Sequence, residues 1–113
     1  MSLFKEQAAF LLDACKLIQH ATDLGFTVTG GELYRTPEQQ KIYVDSGRSK
    51  TLNSNHLKRL AIDLNFILDG KLVYDMEMLR PLGEYWQGLS TANRWGGFFK
   101  SFKDMPHFER NLP

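Results

Sequence analysis

The chain has 113 residues, a formal net charge of +1 and one cysteine. That length predicts a single domain over 1–113 with a core of its own, and a lone cysteine excludes an internal disulfide. Interspersed acids and bases argue against nucleic acid as a partner, and no stretch approaches the roughly 20 apolar residues that membrane insertion requires.

Phe4, Ala8, Leu11, Cys15 and Ile18 recur at steps of four and three. This predicts a helix over residues 3–23 with that stripe as its buried face and Gly25 as its stop. Cys15 is read as a small buried hydrophobe. His20 is read as a solvated residue near the helix C-terminus, not a ligand. Residues 26–29 alternate as a short strand that ends at Gly30 and Gly31. Thr36, Pro37 and Gln39 form a helix start, with Thr36 as the N-cap and a helix expected to Asp45. Residues 47–55 read as loop.

Leu60, Ile62, Leu64, Phe66 and Leu68 alternate with Ala61, Asp63, Asn65 and Ile67, the pattern of a strand with an apolar core face. Asp69-Gly70 is a hairpin signal, with residues 72–74 as the returning strand. Asp75 is placed to cap a helix over residues 76–89, which Pro81 is expected to kink or divide. An aromatic, glycine-rich tail follows, ending in a short strand over residues 107–110. Trp86, Trp95, Phe98, Phe99 and Phe102 are read chiefly as core, with some available to wall a cleft. Helices combined with an antiparallel hairpin, without regular βαβ alternation, indicate an α+β fold.

Two polar islands carry the chemistry. The first is Ser54-Asn55-His56, followed by Asp63; the second runs from Asp104 through His107 to Glu109. Period two puts Asp63 on the strand face opposite the apolar row, facing a polar site or water. His107 and Glu109 share one face of the last strand. Two histidines and a carboxylate are a common ligand set for catalytic zinc, which keeps a fourth position for water. Asp104 is then the candidate general base. Arg48, Lys50, Lys58 and Arg59 flank the first island, either as a solvated loop or as a patch that attracts an anionic surface.

Ser54-x-His56-x6-Asp63 resembles the first motif of the zinc D-alanyl-D-alanine carboxypeptidase and L-alanyl-D-glutamate endopeptidase family. Asp104-x-x-His107 resembles its second motif, the Trp95-to-Glu109 tail that of phage endolysins, and Tyr34-Arg35-Thr36-Pro37 its arginine element. The resemblance implies a Hedgehog/DD-peptidase type fold: a small antiparallel sheet bearing a Zn2+ site, with helices packed against it. It implies His56, Asp63 and His107 as zinc ligands and Asp104 as general base. Arg35 would hold a substrate carboxylate or the developing oxyanion. Ser54 would organise the metal site or bind substrate. Glu109 would orient an imidazole or stand as an exposed acid. Arg59 departs from the glycine that many members carry there, either altering the local backbone or reaching the cleft.

The implied activity is hydrolysis of peptidoglycan stem peptides at the L-Ala-D-Glu bond, as in a phage or prophage endolysin. The alternatives are a D-Ala-D-Ala carboxypeptidase and a non-catalytic zinc-dependent binding module of the same fold. Asp104, where dipeptidases more often carry glutamate, favours the endopeptidase branch. A monomer is expected. It would be made in the bacterial cytoplasm without a signal peptide, and would act on the wall after release or from the virion.

Overall fold

The computed structural model describes residues 2–112. Helix α1 spans Leu3–Asp23, strand β1 Thr27–Gly30 and helix α2 Pro37–Asp45. Strands β2 (Ala61–Leu68) and β3 (Lys71–Leu72) precede helix α3 (Met76–Leu89), and β4 (Asn93–Trp95) and β5 (His107–Arg110) complete the sheet. The strands run antiparallel in the order β1-β2-β5-β4, with β3 also paired to β2, so the fold is α+β.

Local chemistry accounts for most of these boundaries. Thr36 accepts from the Gln39 amide and Pro37 opens α2. Asp69 and Gly70 both have positive φ, 51° and 76°, the two-residue turn whose twist matches a hairpin. Asp75 accepts from the amides of Glu77 and Met78 at the start of α3. The returning strand β3 is shorter than the sequence suggests, ending at Leu72. Pro81 does not divide α3. It and Glu77, whose carbonyl it deprives of a donor, both lie on the exposed side, where water serves that carbonyl.

The core joins Phe10 and Leu17 of α1 to Leu64 and Phe66 of β2, Leu82 and Trp86 of α3, Trp95 and Phe108. Burial of each such side chain contributes about 1.5–3 kcal/mol. The Trp86 indole donates to the carbonyls of Arg94 and Glu109, both at 3.1 Å, and so joins α3 to β4 and β5. Gly83 packs flat against Trp95; an added Cβ would lie 2.2 Å from that ring.

The sequence reading placed the wrong face of α1 inside. Phe10, Asp13, Ala14, Leu17 and Ala21 are buried, whereas Phe4 is 67% exposed and Leu11 51%. Cys15 is exposed. His20 is half-buried and stacks on Tyr85 with ring centroids 3.9 Å apart. The buried face is fixed by a distant partner: Arg110 Nη2 donates to Asp13 Oδ2 at 2.7 Å and its Nη1 to Glu6 at 3.1 Å. Strand β4 and the 3-10 turns Asn55–Lys58 and Gly96–Phe98 were not foreseen. Among the described residues, no helix is long and apolar enough to cross a membrane.

Candidate metal centre and cleft

The sheet brings the two polar islands together. Asp63 of β2 stands directly opposite His107 of β5, and Ala61 opposite Glu109. The amide of Leu64 donates to Pro106 and that of Arg110 to Leu60, so Asp63 and His107 form a pair not bonded to each other through the backbone. Side chains of such pairs lie close together. On its other side, Asp63 donates its amide to Glu32 at 2.9 Å and accepts from Gly31 at 2.7 Å. Two residues thus face one, a bulge that turns the chain after β1 over the site.

That turn supplies the carbonyl that orients His56. His56 Nδ1 donates to Leu33 O at 2.9 Å, leaving Nε2 with its lone pair free. Ser54 accepts from the His56 amide at 3.2 Å and caps the 3-10 turn that presents the ring. It sits behind the histidine and does not line the cleft. Arg59 ends this turn in the left-handed region, φ 55° and ψ 38°. Its guanidinium lies 4.3 Å from the Tyr34 ring centre and does not reach the cleft.

His56 Nε2 lies 3.4 Å from Asp63 Oδ1, and His107 Nδ1 lies 3.6 Å from the same oxygen. The three donor atoms are all within 4.8 Å of one another. His56 Nε2 and Asp63 Oδ1 are buried without a hydrogen-bond partner among the described residues. A buried lone pair and a buried carboxylate oxygen left in that state are costly, and an ion in the space between them satisfies both. Two imidazole nitrogens and one carboxylate oxygen suit a metal ion.

The outer side of His107 is equally defined. Its Nε2 donates to Glu109 Oε1 at 2.7 Å, and Glu109 Oε2 accepts from Arg94 Nε at 2.8 Å and from Arg94 Nη2. Glu109 is therefore not an exposed acid; it is 5% exposed and joins β4 to the ring. Burial alone would raise the Glu109 carboxyl, but His107 and Arg94 outweigh it and hold it down at about 2. Burial would likewise lower His107, yet Asp63 and Glu109 push it up to about 9 in the metal-free protein. Asp63 is desolvated too, and the two imidazoles hold it below the usual carboxylate range.

These groups line a cleft of about 490 Å³ together with Arg35, Asp104 and Phe99. Asp104 belongs to the turn before β5: its amide donates to Gly96 O at 3.0 Å and its carbonyl accepts from His107 N at 3.1 Å. Gly96 permits that approach, since an added Cβ would sit 2.1 Å from Asp104 O. Among the described residues the Asp104 carboxylate makes no hydrogen bond or ion pair, and burial raises it above its ordinary range. Arg35 is braced on two sides. Its Nε donates to Glu32 Oε1 at 2.6 Å and its Nη1 to Gln40 Oε1 at 2.7 Å, while Nη2 pairs with Glu32.

All six charged or histidine candidates from the sequence, Arg35, His56, Asp63, Asp104, His107 and Glu109, thus meet at one cleft. Trp86 and Trp95 are core, whereas Phe99 and Phe102 wall the cleft. Glu32, Gln40 and Arg94 were missed. Arg94 lies on a strand too short to show a period, and Gln40, fully buried on a polar helix, carries no local signal.

Comparison with known proteins agrees with this geometry. The family model for D-alanyl-D-alanine carboxypeptidase matches residues 47–110. An L-alanyl-D-glutamate peptidase of a Listeria phage is 34% identical over 100 residues, which is 87% of this chain and 35% of that protein. The chain thus spans about a third of the length of this curated relative. The crystal structure of Serratia marcescens L-Ala D-Glu endopeptidase ChiX superposes with a TM-score of 0.70 at 25% identity, covering 88% of this chain and 78% of that one. With a family match over more than half its length, centred on the strands and turn that carry the cluster, this chain belongs to the D-alanyl-D-alanine carboxypeptidase family of peptidases.

Proposed function

We propose that the chain is a zinc-dependent peptidase that hydrolyses peptidoglycan stem peptides at the L-Ala-D-Glu bond. The observation that carries this is the pair of buried donor atoms, His56 Nε2 and Asp63 Oδ1, that have no hydrogen-bond partner among the described residues, beside His107 Nδ1 in an open cleft. His56, Asp63 and His107 would hold the ion. When bound, zinc would supply a Lewis acid that polarises the scissile carbonyl and lowers the pKa of the attacking water.

The remaining groups divide the work. Asp104 takes the proton from the attacking water and hands it to the leaving amine. Its raised pKa, due first to burial, brings it nearer to the pH at which a base is effective. Among the described residues Arg35 keeps one N–H free on each terminal nitrogen after its bonds to Glu32 and Gln40, and these stabilise the developing oxyanion. Ser54 fixes the turn that presents His56, and Glu109 fixes the tautomer of His107. A free base argues against the non-catalytic binding module, which has no use for one.

The endopeptidase bond is preferred over D-Ala-D-Ala because both named relatives are L-Ala-D-Glu peptidases. The enzyme would meet its substrate at the cell wall, as the phage relative suggests. Mass spectrometry of digested peptidoglycan, with and without a chelator, tests the proposal. New D-Glu N-termini that vanish with chelator are expected. Release of free D-alanine alone would assign the carboxypeptidase activity instead, and chelator-insensitive cleavage would remove zinc from the account.

A further inference from the structure

Resting on that reading of the cleft, we infer that Arg48 and Lys50 form a carboxylate-binding subsite, which reads a free carboxylate on the residue that supplies the scissile nitrogen. In a γ-linked stem peptide this is the α-carboxylate of D-Glu.

The charge of Arg35 is already matched by Glu32, and its orientation is fixed by Gln40. It suits a neutral carbonyl that becomes an oxyanion better than a second carboxylate. Glu109 is matched in the same way by Arg94. Arg48 and Lys50 are different. Both line the cleft, both are exposed, and neither makes an ion pair among the described residues. Arg48 lies over the Tyr43 ring at 5.1 Å, and Lys50 Nζ lies 5.5 Å from the centre of the Phe102 ring. The segment after α2 therefore places two cations on the cleft wall that no ion pair holds among the described residues.

That wall is built, not loose. Gln40 is fully buried and donates from Nε2 to Ser49 Oγ at 2.9 Å and to Thr51 O at 2.5 Å. The amides of Arg48 and Ser49 both donate to Tyr43 O, at 2.8 and 3.0 Å. One glutamine thus braces Arg35 through its carbonyl oxygen and the Arg48–Lys50 segment through its amide. Gln40 thus ties the backbone that carries these two cations to the Arg35 side chain. Two charge-assisted contacts of this kind, open to solvent, amount to about tenfold in binding.

The test compares cleavage of L-Ala-γ-D-Glu-L-Lys with its α-amidated analogue, L-Ala-D-isoGln-L-Lys, by the zinc-loaded protein. The wild type is expected to favour the acid about tenfold in kcat/KM, through KM, with the preference shrinking as salt is added. In Arg48→Gln/Lys50→Gln the ratio should fall to within twofold; Arg48→Lys should retain most of it. Equal rates for the two peptides in the wild type, or a ratio unchanged in the double variant, overturns the subsite. A D-Ala-D-Ala peptide and its C-terminal amide form a second arm, so that a preference confined to this pair would assign the carboxylate to a chain terminus and overturn the D-Glu reading. If neither bond is cut, the proposed function fails separately. Calorimetric binding of γ-D-Glu-L-Lys against D-isoGln-L-Lys then decides the subsite, with a tenfold gap expected and equal affinity refuting it.

Discussion

Replacing Glu109 with glutamine removes one charge and almost no volume. In the wild type the carboxylate is 5% exposed and accepts from His107 Nε2 at 2.7 Å and Arg94 Nε at 2.8 Å. The glutamine carbonyl can still serve one of these donors, but its amide faces the other as a second donor. Removing one partner of a buried pair costs roughly 3–5 kcal/mol when nothing replaces it. The Arg94 side chain is 50% exposed, so water takes over much of its share, and a stability loss of about 1–3 kcal/mol is expected. The effect on the metal is more specific. Loss of the outer partner of a ligating imidazole weakens metal binding by roughly 10–100-fold. Competition with a chromophoric chelator measures the zinc Kd, with urea unfolding run in parallel. A Kd within twofold of wild type would refute the role assigned to Glu109.

Three further outcomes are expected. Arg59→Gly should be more stable in urea than Arg59→Ala by about 1 kcal/mol, because φ 55° suits glycine and both variants lose the Tyr34 contact; the reverse order would contradict the backbone reading. Gly96→Ala should lose roughly 1–3 kcal/mol or more and displace Asp104, since its Cβ would fall 2.1 Å from Asp104 O and 3.0 Å from His107 Cβ; wild-type stability and activity would contradict this. In chelator-treated protein, His107 is raised from 6.5 to about 9, so its contribution is complete below pH 6.5 and is lost as pH rises through about 9. Glu109 is lowered from 4.5 to about 2, so its contribution is complete above pH 4.5 and is lost as pH falls through about 2. Stability without metal should therefore peak between pH 4.5 and 6.5; zinc should abolish the alkaline decline, and a flat urea midpoint from pH 6 to 9 without metal would contradict the His107 assignment.

Much of the candidate site was legible because its residues sit at positions that local rules determine. Period two put Asp63 on the polar face of β2, and the same rule put His107 and Glu109 together on β5. The Asp69-Gly70 turn and the Asp75 and Thr36 caps were equally local. What failed depended on contacts distant in the chain. Helix α1 is rich enough in leucine, alanine and phenylalanine to carry two apolar stripes. Spacing alone does not say which faces the sheet; the Asp13–Arg110 pair, 97 residues apart, does. Strand β4 is three residues long, too short for a period to show, so Arg94 could not be set opposite Glu109. Gln40 is an ordinary helix residue until the segment after α2 folds back onto it.

The division between three ligands and one base is tested most directly by turnover of L-Ala-γ-D-Glu-L-Lys in zinc-titrated Asp104→Ala protein. One zinc per chain should remain bound, because Asp104 is not among the converging donors. Cleavage should fall by roughly 10²–10⁴-fold, the usual contribution of a positioned base. A variant that keeps its zinc and cleaves at the wild-type rate would contradict the assignment of Asp104, and one that loses zinc would make it a ligand.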